Sequence, residues 1–302
     1  MGETAVGRPE AGARAGAGAR AGAGARVVVA LLLATASCGP RTWAVCYAPT
    51  VAADLLRGYD VVVVDAQWQG DVAALKADGA TVLAYISLGE LHSSRAEFSQ
   101  AQATGLLVRE NPQWPGAWVV DVRDPRWTTL IADGVAGPLL ARGFDGFFLD
   151  TVESALHLEA SEPTRFPGMS RGAVALIRAL HVRHPQARLV MNGALPLVGE
   201  LPGVLTGVAV ESGLTDWDFA RKQARWRTDA ERAWVADRVR QARSAQPDLA
   251  ILTLDYWDPD DAVGVARIYR QQRAEGRIPY VATVALDRVV PEPAAPATPA
   301  NP

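Results

Sequence analysis

The sequence predicts an α/β protein built as a single (β/α)8, or TIM, barrel, and three observations predict this fold. Eight short apolar runs alternate with helix-compatible segments over roughly 250 residues, a length typical of such barrels. Acidic or amide side chains follow most of these runs. The main alternative, an open dinucleotide-binding sheet, lacks a Gly-x-Gly-x-x-Gly sequence after its first strand.

Each predicted strand is a short run of aliphatic or aromatic residues bounded by turn-forming ones. Asp60–Asp65 is almost purely β-branched, and Gly143 and Gly146 introduce the run Phe147–Leu149. Such runs are typical of parallel strands that are buried on both faces. The eight predicted strands are 43–48, 60–65, 81–87, 143–151, 188–191, 206–210, 250–254 and 278–284, with an extra short strand at 117–122.

Helices are predicted where amphipathic segments end at glycine or proline. Gly79, Pro185 and Gly276 mark helix ends, and Pro125 stands in the first turn of another helix. The predicted helices are 70–78, 125–142, 169–184, 228–245 and 259–275. The segment 154–168 is predicted to be a loop.

The chain ends differ in composition from the barrel segment, residues 39–290. Residues 1–38 combine a low-complexity Ala/Gly/Arg tract with an apolar run, 27–34, and small residues before Cys38. This order is typical of a secretory signal, and Cys38 resembles a lipoprotein processing site; a buried N-terminal helix or strand is the alternative. We therefore expect a protein that is secreted or anchored outside the cytoplasmic membrane through Cys38. Residues 291–302 are Pro/Ala-rich and are expected to be disordered.

Composition excludes some partners. The formal net charge is −3, which gives no electrostatic reason to expect binding to nucleic acid. Two cysteines are too few for a disulfide framework. We expect a monomer that needs no cofactor.

Acidic residues stand at the ends of five predicted strands, and an amide ends a sixth. These residues are Asp65, Glu90, Asp150, Asn192, Glu211 and Asp255. A single aspartate after a strand is more often a turn or cap residue. Five acids at one rim repel each other, so acid–base catalysis, a metal site and recognition of a cationic ligand are competing explanations. Asp145 enters the fourth strand from the opposite end and is expected to be structural.

A metal is the weaker explanation. The four histidines lack the spacing of a zinc site, whereas an oxygen-only calcium or magnesium site stays open. No Gly-x-Ser-x-Gly supports a serine nucleophile.

Aromatic residues accompany the acids at the predicted strand ends. They are Tyr47, Trp68, Tyr85, Trp114, Trp217, Tyr256 and Trp257, about half of which we expect in the core. Paired carboxylates flanked by aromatic rings are what glycoside hydrolysis requires, because one acid protonates the leaving oxygen while the other attacks or activates water.

Several motifs together resemble glycoside hydrolase family 114, the family of endo-α-1,4-polygalactosaminidases and related secreted proteins. They are Trp43-x-x-x-Tyr47, Ala84-Tyr85-Ile86-Ser87-Leu88-Gly89-Glu90, Asn111-Pro112-x-Trp114, Asp124-Pro125-x-Trp127, Gly143-Phe144-Asp145-Gly146 with Leu149-Asp150, and Asn192-Gly193 with Glu211. The resemblance covers residues 43–288 and implies a (β/α)8 barrel.

The resemblance implies Asp150 as the nucleophile and Glu211 as the general acid/base. Thr151 and Glu153 depart from the residues that family members often carry after the catalytic aspartate. The expected substrate is a polysaccharide, a cationic amino-sugar polymer that the acidic rim would attract. The residues expected to contact it are Tyr47, Asp65, Trp68, Tyr85, Glu90, Asn192, Asp255 and Tyr256.

Two hypotheses follow. The first is an exported endo-acting glycosidase. The second is a catalytically silent carbohydrate-binding or envelope protein on the same barrel, which predicts carboxyl groups too far apart for glycoside chemistry.

Overall fold

Eight parallel strands form one sheet that curls into a nearly closed barrel, as the sequence predicts. The computed structural model describes residues 39–293. The strands in chain order are β1 Trp43–Cys46, β2 Val61–Asp65, β3 Thr81–Ser87, β4 Glu90–His92, β5 Leu107–Glu110, β6 Ala117–Val120, β7 Gly146–Asp150, β8 Arg188–Asn192, β9 Gly207–Glu211, β10 Thr215–Asp218, β11 Gln223–Trp226, β12 Ala250–Tyr256 and β13 Ile278–Ala282. The barrel order is β1-β2-β3-β7-β8-β9-β12-β13.

The two ends of this sheet approach each other, which closes most of the barrel. Just beyond β1, the Tyr47 amide donates a hydrogen bond of 2.7 Å to the Leu286 carbonyl, beyond β13. Both faces of the strands are covered, so the β-branched run Val61–Val64 is almost completely buried. The predicted TIM barrel is confirmed.

The helices surround the barrel, and four of the eight, α1, α3, α7 and α8, begin at a capping side chain. They are α1 Val72–Ala77, α2 Phe98–Ala103, α3 Pro125–Thr129, α4 Gly137–Ala141, α5 Val152–Ser161, α6 Met169–Arg183, α7 Asp229–Ala245 and α8 Ala262–Ala274. Thr228 and Glu231 form a capping box at α7, in which each side chain accepts from the other's backbone amide.

Two helical predictions need correction. The segment predicted as a loop, 154–168, contains most of α5, which buries Val152, Ala155 and Leu158 at helical spacing. The predicted helix 125–142 is helical throughout, but a π-helix, Leu130–Ala136, separates α3 from α4. Pro138, just past it, has no amide hydrogen to continue the regular pattern.

Two insertions stand at the carboxyl ends of the barrel strands. Between β3 and β7, the strands β4, β6 and β5 form a small antiparallel sheet. Between β9 and α7, β10 and β11 form a hairpin. The sequence predicted only β6 among these strands, because their short polar runs carry little period-2 signal.

The remaining sequence predictions concern the chain ends and the membrane. Residues 1–38 and 294–302 lie outside the described residues, so the predicted signal, Cys38 and most of the tail do too. Within residues 39–293, none of the helices combines the length and apolarity needed to cross a bilayer.

Asp145 lies at the amino-terminal end of β7, away from the strand ends that carry the other acids. Its Oδ2 accepts from the Val82 amide at 2.9 Å, and its Oδ1 lies 2.7 Å from Lys76 Nζ. The predicted structural role of Asp145 is confirmed, and with it the direction of the strand.

We predict that Gly146→Ala destabilises the barrel while Gly199→Ala does not. A Cβ on Gly146 would lie 2.0 Å from the Arg188 carbonyl oxygen, a backbone atom of the neighbouring strand. Relieving such an overlap typically costs about 1–3 kcal/mol. A Cβ on Gly199, in the 3-10 helix Leu195–Glu200, would lie 3.9 Å from the Ala245 Cβ, which is an ordinary van der Waals contact. Thermal unfolding followed by circular dichroism should show a lower Tm for the first variant only; equal losses would contradict the close packing of β7 on β8.

Candidate active site

Three neighbouring barrel strands end in the side chains that form the centre of the site. Asp150 ends β7, Asn192 ends β8 and Glu211 ends β9. Adjacent parallel strands present their carboxyl ends at the same rim, and β8 lies between the other two. The barrel therefore places an amide between two carboxylates.

The two carboxylates share this amide. Asn192 Nδ2 donates to Asp150 Oδ1 at 2.8 Å and to Glu211 Oε1 at 2.6 Å. Two bonds to one nitrogen limit the separation of these carboxylate oxygens to about 5.4 Å. Carboxyl groups about 5–5.5 Å apart are typical of retaining glycosidases, and about 6.5–9.5 Å of inverting ones.

Glu211 has the environment of a carboxyl group that holds a proton. Tyr256 Oη donates to its Oε2 at 2.8 Å. The cleft leaves part of the side chain accessible to water, but protein surrounds it on its other sides. This burial and the Asp150 charge raise the pKa of Glu211, against hydrogen bonds from Asn192 and Tyr256 that lower it.

Two tyrosines from β1 and β3 lie beside Asp150. The rings of Tyr47 and Tyr85 are 4.7 Å apart, and both line the cleft. Burial, and then the Asp150 charge, raise the pKa of both phenols well above the usual value. Both therefore stay neutral and can donate hydrogen bonds.

Glu153 is a third cleft carboxylate that we did not predict as a site residue. Its Oε1 accepts from the Ala194 amide at 2.9 Å. Burial is the main cause that raises the pKa of Glu153 to about 7. The hydrogen bond from Ala194 opposes this effect, and the charges of Asp150 and Glu211 add to it. A Cβ on Gly193 would lie 1.7 Å from Glu153 Oε1, so a side chain at position 193 would displace the carboxylate. Glu153 reaches the same rim as Asp150 because α5 begins almost directly after β7. The sequence alone did not predict that helix start, so it did not predict Glu153 as a cleft residue.

Glu90 lies at the same cleft, in the first insertion. It is 6% exposed, and its Oε1 accepts from Asn111 Nδ2 at 2.9 Å and Ser154 Oγ at 2.6 Å. These bonds fix the carboxylate between the small sheet and α5.

The structure places the other predicted contact residues away from the cleft. Asp255 is fully buried and accepts from the amides of Leu214 and Thr215 at 2.7 and 2.9 Å, so it anchors the chain after β9. Trp68 is also fully buried, with its indole donating to the Val51 carbonyl. The expectation that Asp255 and Trp68 contact substrate is corrected, because neither side chain has any exposed surface.

Asp65 is occupied by an ion pair. Arg95 donates to both of its oxygens, to Oδ1 at 2.9 Å, and the Gln67 amide also donates to Oδ1. Arg95 and Gln67 line the cleft. Asp65 therefore orients an arginine at the rim, and the sequence could not show that its charge is already paired.

Each catalytic candidate is followed by a non-glycine residue in the left-handed region. Thr151, after Asp150, and Ser212, after Glu211, both have a φ of 58°. Thr151 Oγ1 accepts from the amides of Gly89 and Glu90 at 2.9 and 3.1 Å. These bonds tie the end of β7 to the β3–β4 turn and offset the backbone strain.

The cleft above this centre is large and has aromatic residues at its rim. Its volume is about 1270 Å³. Trp114, 51% exposed, lines it and packs edge-on against Phe219 of the hairpin, with ring centres 5.8 Å apart. Exposed aromatic rings of this kind suit stacking on sugar rings. Across residues 39–293, no cluster of three or more potential metal ligands is present.

Comparisons with known proteins agree with this geometry. Residues 32–296 match the model of Glycoside-hydrolase family GH114. The glycoside hydrolase domain of PelA from Pseudomonas aeruginosa is 31% identical, with a TM-score of 0.75 over 83% of this chain and 97% of that domain.

Two further relatives are more distant. Aspergillus fumigatus Ega3, solved in complex with galactosamine, is 14% identical with a TM-score of 0.61, covering 83% of this chain and 94% of that one, and so shares the fold. An uncharacterized protein of Deinococcus radiodurans is 25% identical over 246 residues, or 77% of this chain and 75% of that protein. The match over nearly the whole barrel shows that the chain belongs to glycoside hydrolase family GH114.

Proposed function

We propose that the protein is an exported endo-glycosidase that cleaves α-1,4-linked galactosamine-containing polysaccharide with retention of configuration. Asp150 is the nucleophile and Glu211 is the general acid/base. The observation that carries this proposal is the Asn192 amide, which donates to both carboxyl groups and limits the separation of Asp150 Oδ1 and Glu211 Oε1 to about 5.4 Å.

The different surroundings of the two carboxylates support the assignment of roles. A general acid must hold a proton near neutral pH, and burial together with the Asp150 charge raises the pKa of Glu211. Asp150 accepts a hydrogen bond from the Asn192 amide, and the neutral phenols of Tyr47 and Tyr85 lie beside it.

The proposed reaction has two steps. Glu211 gives its proton to the glycosidic oxygen while an Asp150 oxygen attacks the anomeric carbon, so the glycosidic bond breaks and a glycosyl ester forms. Glu211, now charged, takes a proton from water, and the hydroxide formed displaces Asp150 from the anomeric carbon. The sugar is released with its original configuration, and both carboxyl groups return to their starting states.

The carboxyl groups around the centre of the cleft support a cationic substrate, although four arginines, Arg95, Arg142, Arg227 and Arg238, also line it. Glu90, Glu153, Asp150 and Glu211 all line it. An amino sugar without its acetyl group carries an ammonium that these carboxylates attract. Galactosamine bound to Ega3 is consistent with this substrate class.

The catalytically silent alternative predicted carboxyl groups too far apart for glycoside chemistry. The shared amide does not support it, because one oxygen of each carboxyl group lies within about 5.4 Å of the other, which suits that chemistry. Export, with or without a lipid on Cys38, rests on the charged, apolar and small-residue order of residues 14–39. Fractionation of cells that express the full chain, with Cys38→Ala as the control for lipid attachment, tests it.

We predict that Asp150→Asn and Glu211→Gln each lower kcat/KM on de-N-acetylated galactosamine polymer by about 10²–10⁴-fold. Both changes keep the shape of the side chain and remove the charge or the proton that the reaction uses. Release of reducing ends measures the rate. Asp145→Asn is the matched control, because it alters the same strand at its other end, and should cleave at nearly the wild-type rate. Wild-type rates in both cleft variants would refute the assignment.

We also predict that Glu153 contributes to selection of the cationic polymer in a pH-dependent way. With a pKa of about 7, its carboxyl group is mostly neutral at pH 6 and mostly charged at pH 8. The ratio of kcat/KM for de-N-acetylated over N-acetylated polymer should therefore rise between these values more in the wild type than in Glu153→Gln. The variant experiences the same titration of the substrate amines, so the difference isolates Glu153. Identical pH dependence in the two proteins would show that Glu153 does not act on substrate charge.

A further inference from the structure

Asn192 is almost inaccessible to a substrate, although it lies at the centre of the site. Its side chain is buried, with the residue 4% exposed. The chain that follows is fixed, since the Gly193 amide donates to the Ala209 carbonyl and the Ala194 amide donates to Glu153. An asparagine so placed has little surface with which to bind a sugar hydroxyl.

The orientation of the Asn192 amide follows from its neighbours. Nδ2 carries two hydrogens, and two carboxylate oxygens accept from it. The flipped amide would turn Oδ1 toward both carboxyl groups, and Asp150, which is ionised in the proposed reaction, would offer it no donor. The observed orientation is therefore the stable one.

This orientation has a cost that folding does not explain. Asn192 Oδ1 is buried and has no hydrogen-bond partner among the described residues. A buried acceptor without a partner costs about 1–3 kcal/mol. An apolar residue of similar size would avoid that cost. The presence of asparagine therefore indicates that the two hydrogen bonds donated by Nδ2 serve the site rather than the fold.

We propose that Asn192 is a positioning residue, which holds Asp150 and Glu211 at the separation needed for retaining hydrolysis. Each of its hydrogens fixes one carboxylate oxygen relative to the same nitrogen. The distance between the carboxylates then depends on one planar group rather than on two flexible side chains. This inference rests on the proposed function, and it concerns the mutual placement of the two carboxylates rather than their identity.

The test compares Asn192→Ala and Asn192→Asp with the wild type. Both remove the shared donor, and the aspartate keeps the shape while adding a carboxylate. We expect kcat on the de-N-acetylated polymer to fall by about 10²-fold, the loss typical of reacting groups displaced by about 1 Å. KM should change little, because Asn192 does not contact the sugar.

The pH profile provides a readout that a purely structural role would not move. The Asn192 bond lowers the pKa of Glu211. Removing this bond should therefore shift the basic limb of the kcat/KM profile to higher pH. The shift should be larger in Asn192→Asp than in Asn192→Ala. Gln102→Glu is the control, because it adds a carboxylate at an exposed position of α2, outside the cleft. It should leave the profile unchanged.

A raised KM with unchanged kcat and pH profile would overturn the proposal and assign Asn192 to substrate contact. Thermal unfolding checks that the variants fold; if Asn192→Ala does not, the isosteric aspartate variant carries the test. Carbon-13 NMR titration of Glu211 reports its pKa without any substrate. An unchanged Glu211 pKa in Asn192→Asp would contradict the proposal, whereas a failure of the wild type to cleave polymer would count against the proposed function alone.

Discussion

The site depends on two hydrogen bonds from one amide nitrogen. Two carboxyl groups with oxygens at most about 5.4 Å apart favour a single negative charge, because two charges so close would repel each other. The Asn192 amide lies between them and fixes one oxygen of each. Only a barrel in which β8 runs between β7 and β9 delivers all three side chains to this arrangement.

The surroundings of the pair make it rigid. Left-handed Thr151 and Ser212 turn the chain sharply after each carboxylate, and Thr151 also bonds to the turn after β3. Gly89 allows this contact, since a Cβ there would lie 2.1 Å from the Thr151 carbonyl oxygen. Hydrogen bonds from the turn after β3 offset the strain of the left-handed backbone at Thr151. Backbone strain that the surrounding structure compensates in this way is common at functional sites. Thr151 thus has a structural role next to Asp150.

The barrel could be predicted because buried parallel strands leave a clear apolar signal. Asp150, Asn192 and Glu211 could be placed at one rim for the same reason, since each directly ends such a strand. Pairing and burial of side chains leave no such signal. Asp65 and Asp255 resemble Asp150 in sequence, but Arg95 neutralises the first, and the second points into the protein to bind backbone amides.

Glu153 is a cleft residue that could not be predicted from the sequence. Its contribution depends on α5 beginning directly after Asp150, and the polar, weakly periodic start of that segment predicted a loop. The hairpin residue Phe219 was missed because its position opposite Trp114 depends on two insertions meeting in space. Contacts between distant insertions cannot be derived from local patterns.

The central proposal is that the shared Asn192 amide holds the two carboxyl groups at the separation of a retaining glycosidase. Proton NMR of the reducing ends that the wild type releases in its first turnovers tests this proposal most directly. We predict that the α-anomer appears first and that the β-anomer accumulates only later, by mutarotation. Release of the β-anomer first would show inversion, which requires a separation of about 6.5–9.5 Å and would contradict the proposal.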